Sequence, residues 1–301
     1  MLTNIYFDTF HASTTFRTPQ IPKMDIGTVR FIRPKNEFLQ PYIKGYYMHR
    51  SDDPDFDKTV YFYQNITSTI NIYRDTQVSL HDDFWEYHHA PNTGFNARMV
   101  VKVKGYQEVR LKGKFDKVAI VFYPTGLNHF IRCPLSELVH SIYSVFTHFD
   151  GIYDAILPKL FTVPTIEEKR DILDDFFLSQ FHSFPDKRLI SATEQIIANE
   201  NPVKVNELAQ SIGVSRRTLL RLFQKHLTYS VEEYQAIVKF RRALIQLQQQ
   251  GKSHLTSVAY NSAYYDQADF NHQFKHRSGL TPSELFDQLN IVDNTLFWNL
   301  K

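Results

Sequence analysis

The hydrophobic pattern changes character near residue 186. From about Thr28 to Tyr123 the apolar positions come in short runs rich in β-branched and aromatic residues: TVRFIRP, KTVYFYQ, STINIYR, RMVVKVKGYQEVRL and KVAIVFYP. Pro34, Pro54, Gly94, Gly105 and Gly113 punctuate them. This texture predicts antiparallel strands in a barrel or sandwich. No long helical pattern separates the runs, as a parallel βαβ order would need. From Leu135 to Phe181 the spacing turns to three and four, through Leu138, Ile142, Val145 and Phe149 and again through Ile172, Phe176 and Ser179, which predicts helices. SFPD at 183–186 breaks the pattern: Pro185 ends the preceding helix, and Asp186 is placed to cap the next one. Beyond it every periodic segment is helical.

One unit occurs twice in that helical part. Val205, Leu208, Ala209 and Ile212 form a single apolar stripe. Gly213 comes next, suited to the positive φ of a tight interhelical turn, and Ser215 stands where an N-cap belongs. Leu219, Leu222 and Phe223 make the next stripe, leaving Arg216, Arg217, Leu220, Arg221 and Gln224 facing outward. About fifty residues later Leu255, Val258, Ala259 and Ser262 repeat the first stripe, Asp266 takes the capping position, and Phe270 and Phe274 match Leu219 and Phe223. The outward set is then Gln267, Asn271, His272, Lys275 and His276, and the second turn is one residue longer. Val231 to Gln249 reads as one helix joining the copies, with Tyr234, Ile237, Val238, Leu244 and Ile245 as core contacts and Lys239, Arg241 and Arg242 as charge. At 1.5 Å per residue that rod is roughly 28 Å long, near the ~34 Å repeat of B-DNA. Two second helices so held could enter successive major-groove segments on one face of a duplex.

Charge sharpens this reading. The formal net charge is only +2, but residues 186–290 carry 13 Lys+Arg against 10 Asp+Glu, while residues 1–185 carry 20 against 21. Arg216, Arg217, Arg221 and Lys225 lie within ten residues with no acid among them. Arg can pair with guanine O6 and N7, Gln and Asn with adenine N6 and N7, and the remaining cations neutralise phosphates. The expected DNA contacts are therefore Arg216, Arg217, Arg221, Gln224 and Lys225 from the first copy, with Gln267, Asn271, His272 and Lys275 from the second. Asp269 in the second helix is unfavourable near phosphates and is expected to face away or to accept from a cytosine amine. An all-helical interaction domain is the competing reading of a duplicated helix–turn–helix.

The chain of 301 residues is long enough for two domains, and no apolar run approaches a membrane span. The opening MLTNIYFDTF lacks the basic flank and apolar stretch of a secretory signal, and the single cysteine, Cys133, excludes an internal disulfide; a cytoplasmic location fits. No enzyme is expected. Gly-x-Ser-x-Gly, a phosphate-binding glycine loop and His-Glu-x-x-His are all missing from the sequence. His81, Glu86, His88 and His89 make a loose cluster, but His88 and His89 point to opposite faces of a strand. A Cys133–His129 pair has no orienting third group. No cofactor and no metal are expected.

The stretch VAYNSAYYDQADFNHQFKHRSGLTP at 258–282 resembles the signature of the AraC/XylS family of bacterial transcriptional regulators, and ELAQSIGVSRRTLLRLFQKH resembles the family's first unit. The similarity spans about 190–290. It departs at Ala263, which replaces the usual turn glycine, at Thr228, which replaces the glycine after the first recognition helix, and at Lys239, where arginine is usual. LQPYIKGYYMHR and VAIVFYPTGLNHFI with the adjoining CPLSEL are similar to sensor domains upstream of that unit in some members. The resemblance implies an α+β chain: an N-terminal antiparallel β barrel or sandwich, cupin-like, with flanking helices, and a C-terminal all-α domain. The expected divisions are 1–134 for a β-rich effector domain, 135–185 for a helical linker and dimerisation segment, 186–290 for DNA binding, and 291–301 for a tail. It implies sequence-specific binding of double-stranded DNA, a small-molecule effector, a homodimer and, for an activator, contact with RNA polymerase. Tyr46, Tyr47, Tyr61, Tyr63 and Trp85 are the candidate pocket aromatics. In the alternative, the N-terminal domain binds no ligand and serves as an oligomerisation or protein-contact module.

Overall fold

Alternation along the strands decides the layers. The computed structural model describes residues 27–101, 103, 105–139, 141, 143–250, 254–292 and 296–300, with side chains through residue 287. The opening decapeptide and Ile142 lie outside the described residues. The strands are β1 (Thr28–Ile32), β2 (Ile43–Ser51), β3 (Asp57–Tyr63), β4 (Ser68–Arg74), β5 (Thr76–Leu80), β6 (Phe84–His89), β7 (Phe95–Val100), β8 (Tyr106–Lys112), β9 (Phe115–Phe122), β10 (Tyr143–Val145), β11 (Leu289–Val292) and β12 (Leu296–Leu300). They form two six-stranded sheets in the orders β1-β2-β9-β4-β7-β10 and β11-β12-β3-β8-β6-β5. The pairing is antiparallel as expected, except that β6 and β8 run parallel.

Residues of opposite parity face opposite layers. Tyr47, Tyr73, Trp85, Tyr87, Val109, Ala119 and Val121 pack between the sheets. Tyr46, Ile70, Ile72, Met99, Ile120 and Phe122 turn outward, under a layer formed by residues 127–181. In that layer α1 (Leu135–Leu138), α2 (Leu157–Leu160) and α3 (Ile166–Gln180) are helical. The helix expected through Val145 does not form: Tyr143–Val145 is instead the edge strand beside β7. Its Tyr143 ring packs 4.5 Å from Trp85, and Gly151 at φ 70° interrupts the turn beyond it. The strand buries Tyr143 and leaves Val145 exposed, while Leu138 and Phe149 of the expected stripe reach the core from either side of it. The second expected helix does form, started by a Thr165–Glu168 capping box.

The C-terminal domain comprises α4 (Lys187–Ala198), α5 (Val205–Ser211), α6 (Arg216–His226), α7 (Val231–Gln250), α8 (Leu255–Asn261), α9 (Gln267–Ser278) and α10 (Pro282–Gln288). Asp186 stands at the N-cap of α4, but its carboxylate pairs with Arg188 at 3.0 Å rather than capping the helix. Residues expected as a tail take part in strands: β11 and β12 pair antiparallel, and β12 extends the second sheet beside β3, pairing Asn299 with Tyr61 and Leu300 with Val60.

Each helix–turn–helix has its own core, and each core takes residues from the β domain. Ile66 and Tyr123 join the first, around Leu208, Leu219 and Phe223. Tyr61 and Tyr63 join the second, around Phe240, Phe270 and Phe274. The turns obey the expected chemistry. Gly213 sits at φ 69° and Ala263 at φ 61°. Val214 N–H donates to Ala209 O and Tyr264 N–H to Ala259 O, both at 3.0 Å, so the two turns close alike despite the extra residue in the second. Left-handed backbone costs a residue with a Cβ roughly 1–2 kcal/mol, partly offset by the entropy a glycine would add to the unfolded chain. Ala263→Gly is therefore expected to stabilise the protein by about 0.5–1 kcal/mol. Thermal unfolding should show a rise in Tm of about 1–3 °C; a fall would mean the Ala263 methyl contributes more packing than the backbone costs.

Candidate nucleic-acid interface and the cavity beneath it

Helix α6 begins at Ser215, whose hydroxyl oxygen accepts from Thr218 N–H at 3.1 Å; α9 begins at Asp266, whose carboxylate accepts from Asp269 N–H at 2.8 Å. These caps leave the outer faces of both helices free of local duties. Arg216, Arg217, Arg221, Gln224 and Lys225 are all exposed, and among the described residues no ion pair occupies any of the four cations. Leu220, expected to face outward, is half-buried against the core of the first unit. In α9, Gln267, His272, Lys275 and His276 are exposed and Asn271 is half-buried. Asp269 is turned back to the turn, accepting from Tyr265 N–H at 3.1 Å and from the Gln273 amide at 2.6 Å. Its charge is thus held away from the outer face, the first of the two outcomes expected for it.

The three cations of the connector do not join this face. Lys239 lies 3.8 Å over the Tyr264 ring. Arg242 donates to the carbonyls of Asn199 and Glu200, and also of Ile197, at the C-terminal end of α4, where cations are favoured. Arg241 is 7% exposed and points into the protein. The recognition helices are also held at their C-terminal ends by the β domain. The Asn128 side-chain amide donates to His226 O at 3.2 Å, and Phe184 meets the His226 ring at 5.0 Å. At the end of α9, Arg277 donates to the Gln64 side chain, and Gly279 at φ 76° lies so close to Tyr106 that a Cβ there would come within 2.5 Å of its ring.

Under the connector lies a cavity of about 120 Å3 between the sheets and the middle of α7. Tyr63 and Trp85 line it, and so does Tyr47. Tyr46 does not: it is fully buried on the other face of β2, where its hydroxyl donates to Asp174 at 2.8 Å. Tyr61 does not either, and its hydroxyl donates to Glu108 at 2.9 Å. The candidate aromatics leave out the groups that set the chemistry: Lys44, Lys117 and Arg241 also line the cavity, and among the described lining residues there is no carboxylate. Lys117 is 4% exposed, with its ammonium 4.8 Å from the Tyr47 ring centre and 5.3 Å from that of Tyr73. Burial pushes Lys117 down to about 7. Burial and the neighbouring Arg241 and Arg33 push Lys44 down to about 8, and burial brings Arg241 down to about 10. Tyr87 and Tyr73 complete the wall. A sequence signal existed for two of these: Tyr87 is two residues from Trp85 on one strand, and Lys117 shares parity with Ala119 and Val121.

The loose histidine cluster does not converge: Glu86 pairs with Lys112 at 2.8 Å, and no group of three metal-ligating side chains occurs among the described residues. His129 Nδ1 accepts from Phe184 N–H at 3.2 Å. No helix among the described residues is long and apolar enough to cross a membrane.

The family model of a helix-turn-helix domain matches residues 208–288, covering both units from within α5 to the end of α10. Residues 208–288 therefore form a helix-turn-helix domain, the kind of unit that binds DNA. Among solved structures, a transcriptional regulator of Chromobacterium violaceum with an AraC-type DNA-binding domain is 29% identical, covering 33% of this chain and 88% of that one, with a TM-score of 0.31. ToxT of Vibrio cholerae is 12% identical, covering 80% of this chain and 97% of that one, with a TM-score of 0.45. A second ToxT structure, bound to an unsaturated fatty acid, is 13% identical over 77% and 94% of the two chains, with a TM-score of 0.41. None of the curated proteins matches the chain.

Two measurements test the reading face. Replacing Arg217 and Arg221 by alanine together should weaken duplex binding across sequences and lower the slope of log affinity against log salt by about 2, one for each lost phosphate contact; an unchanged slope would remove these arginines from the interface. The Thr256 hydroxyl donates to Gln267 Oε1 at 2.9 Å, which turns the amide so that its N–H groups remain for the DNA. Thr256→Ala should relax base preference at one position of the selected site, by about 1–3 kcal/mol of discrimination, with overall affinity little changed.

Proposed function

We propose that the chain regulates transcription by reading a bipartite DNA site with α6 and α9, and that a small organic anion in the cavity under α7 controls how the two helices are presented. The observation that carries the second part is the cavity's charge: three cationic side chains, aromatic walls and no lining carboxylate among the described residues. Burying the Lys44 and Lys117 ammonium groups costs several kcal/mol, and a ligand carboxylate or similar anion would offset that from outside the chain. The apolar part of such a ligand would lie against Tyr47, Trp85 and Tyr87. At about 120 Å3 the cavity is below the ~300–1,000 Å3 of drug-sized sites, so this form suits a compact anion or precedes widening.

The mechanism rests on where the cavity sits. Arg241 belongs to α7 and Tyr229 to the turn before it, so an occupant touches the element that spaces the two readers. Helix α7 has 20 residues, about 30 Å of rise. The two reading helices, α6 and α9, are also held at their C-terminal ends by the β domain. A ligand that favours one placement of the β domain against α7 therefore biases the reader spacing by its differential affinity for the two placements. The alternative, a ligand-free oligomerisation module, predicts a filled β core. Homodimerisation through α3 would set Glu167, Glu168, Asp171 and Asp175 of its exposed face near their own copies, which like-charge repulsion disfavours.

Selection of the full chain against a randomised duplex pool should recover a two-part motif; a one-part motif would leave the second unit with phosphates alone, and no enrichment would return the domain to protein interaction. Anion binding should track the lysines. Both have lowered pKa values in the folded chain, so Lys117 is half-charged at about pH 7 and Lys44 at about pH 8, and their charge is lost as pH rises through those values. Isothermal titration with a panel of aryl and short-chain carboxylates should give affinity that falls between pH 6.5 and 9 and drops at least tenfold in Lys117→Met. Carboxylate affinity that ignores both pH and Lys117 would sink the effector reading while leaving the DNA reading intact.

A further inference from the structure

A second crevice opens on the other side of the domain junction, between the turn at Pro124–His129 and helix α4. It holds about 350 Å3 and shares no lining residue with the cationic cavity. One wall is aromatic and fixed. The rings of Tyr42 and His129 lie 4.4 Å apart, and Phe184 meets His129 edge-on at 5.9 Å. Gly126 is pressed against this wall so closely that a Cβ would come within 2.2 Å of Tyr42 O. His129 takes the Phe184 N–H on Nδ1, and burial pushes its pKa down to about 4, so the ring is neutral with its proton on Nε2.

The opposite wall carries the uncompensated group. Glu194 lines the crevice from α4, and its Oε1 is sealed from solvent with no hydrogen-bond partner. Burial raises its pKa. No ion pair reaches Glu194 among the described residues. Lys187, two turns earlier on the same helix, is exposed at the rim. A carboxylate oxygen removed from water without a donor is costly, and a cationic donor beside neutral aromatic faces is the chemistry that relieves it.

We propose that this crevice binds a small organic ammonium, an amine on an aromatic or short apolar body, with its nitrogen at Glu194 and its body against Tyr42, His129 and Phe184. The chain thus carries two sites of opposite charge preference on the two sides of one junction. Residues 183–187 connect the β domain to α4, and both sides of that connection line the crevice. An occupant therefore bears on the angle at which the first helix–turn–helix leaves the β domain.

Titration calorimetry on the full chain tests this with phenethylamine and spermidine, and with phenylacetate as the anionic counterpart. The expected result is saturable one-to-one binding of phenethylamine. Its Kd should rise at least tenfold in Glu194→Gln, which keeps the shape and removes the charge, and in Ser183→Trp, which closes the exposed mouth. It should be unchanged in Lys117→Met. Thermal unfolding of each variant confirms folding. Absence of saturable amine binding, or equal affinity in Glu194→Gln, overturns the proposal, as does loss of amine binding in Lys117→Met, which would place the amine in the other cavity. None of these outcomes touches the selected DNA motif, so this site and the DNA reading fail separately.

Discussion

A buried ammonium with no carboxylate among the described residues that line its cavity is the constraint around which the two domains are arranged. Lys117 stands in the middle of the sandwich, on the central strand β9, where the fold would otherwise place an aliphatic side chain. Desolvation there costs several kcal/mol, and the Tyr47 and Tyr73 rings return about 2 kcal/mol each at best. The remainder is expressed as a lowered pKa: the lysine gives up its proton readily rather than finding a partner. Burial lowers Lys44 and Arg241 as well, and the Arg241 charge makes Lys44 harder still to protonate. Since the unfolded chain holds these protons to a higher pH, folding is favoured as pH rises through the lowered values. A core built for stability alone would not carry this group.

The cavity matters because the domains do not have separate cores. Tyr61 and Tyr63 come from β3 and pack with Phe240 and Phe274; Ile66, just beyond β3, packs with Phe223 and Leu219. One short stretch of the β domain therefore supplies apolar contacts to both DNA-reading units. A shift of that stretch cannot leave the two units where they were, since packed side chains jump between arrangements rather than stretching. The β11–β12 pair adds a backbone tie on the same strand, so β3 is held from one edge by the C-terminal residues and from the other by β8.

How much of this is legible in the chain varies with the range of the interactions concerned. The helix–turn–helix pair can be read in detail because its determinants are local. Gly213 and Ala263 take the left-handed conformation the turn demands, Ser215 and Asp266 cap, and stripes at three and four residues fix the buried face. The strands are legible in kind, since alternation and punctuation are local too, but their partners are not. Hence β10 has the spacing of a helix, and the parallel pairing of β6 with β8 has no signal. The cavity is the least legible. Tyr46 and Tyr47 are neighbours on β2, and only the register decides which faces the sandwich; a one-residue slip exchanges them. A bulge between Ile43 and Gly45 then breaks the alternation that would have placed Lys44 with Tyr46. Arg241 has the pattern of surface charge on a polar helix, and only the covering β domain buries it.

Shared cores and a buried cationic cluster together limit how strongly an effector could act. A ligand can shift the reader spacing only by the difference in its affinity for the two arrangements, and a shift from 1:99 to 99:1 needs about 5.5 kcal/mol. Aromatic packing is present in any arrangement that keeps the sandwich intact, so it contributes little to that difference. The contact with Arg241 is of another kind, because α7 carries it while Lys44 and Lys117 stay with the β domain. An anion held by all three bridges the moving element to the fixed one, and its Coulomb term falls off as they part. In the proposed mechanism, sensitivity to the ligand therefore resides in the ligand's charge and the position of one arginine, more than in the fit of its apolar part.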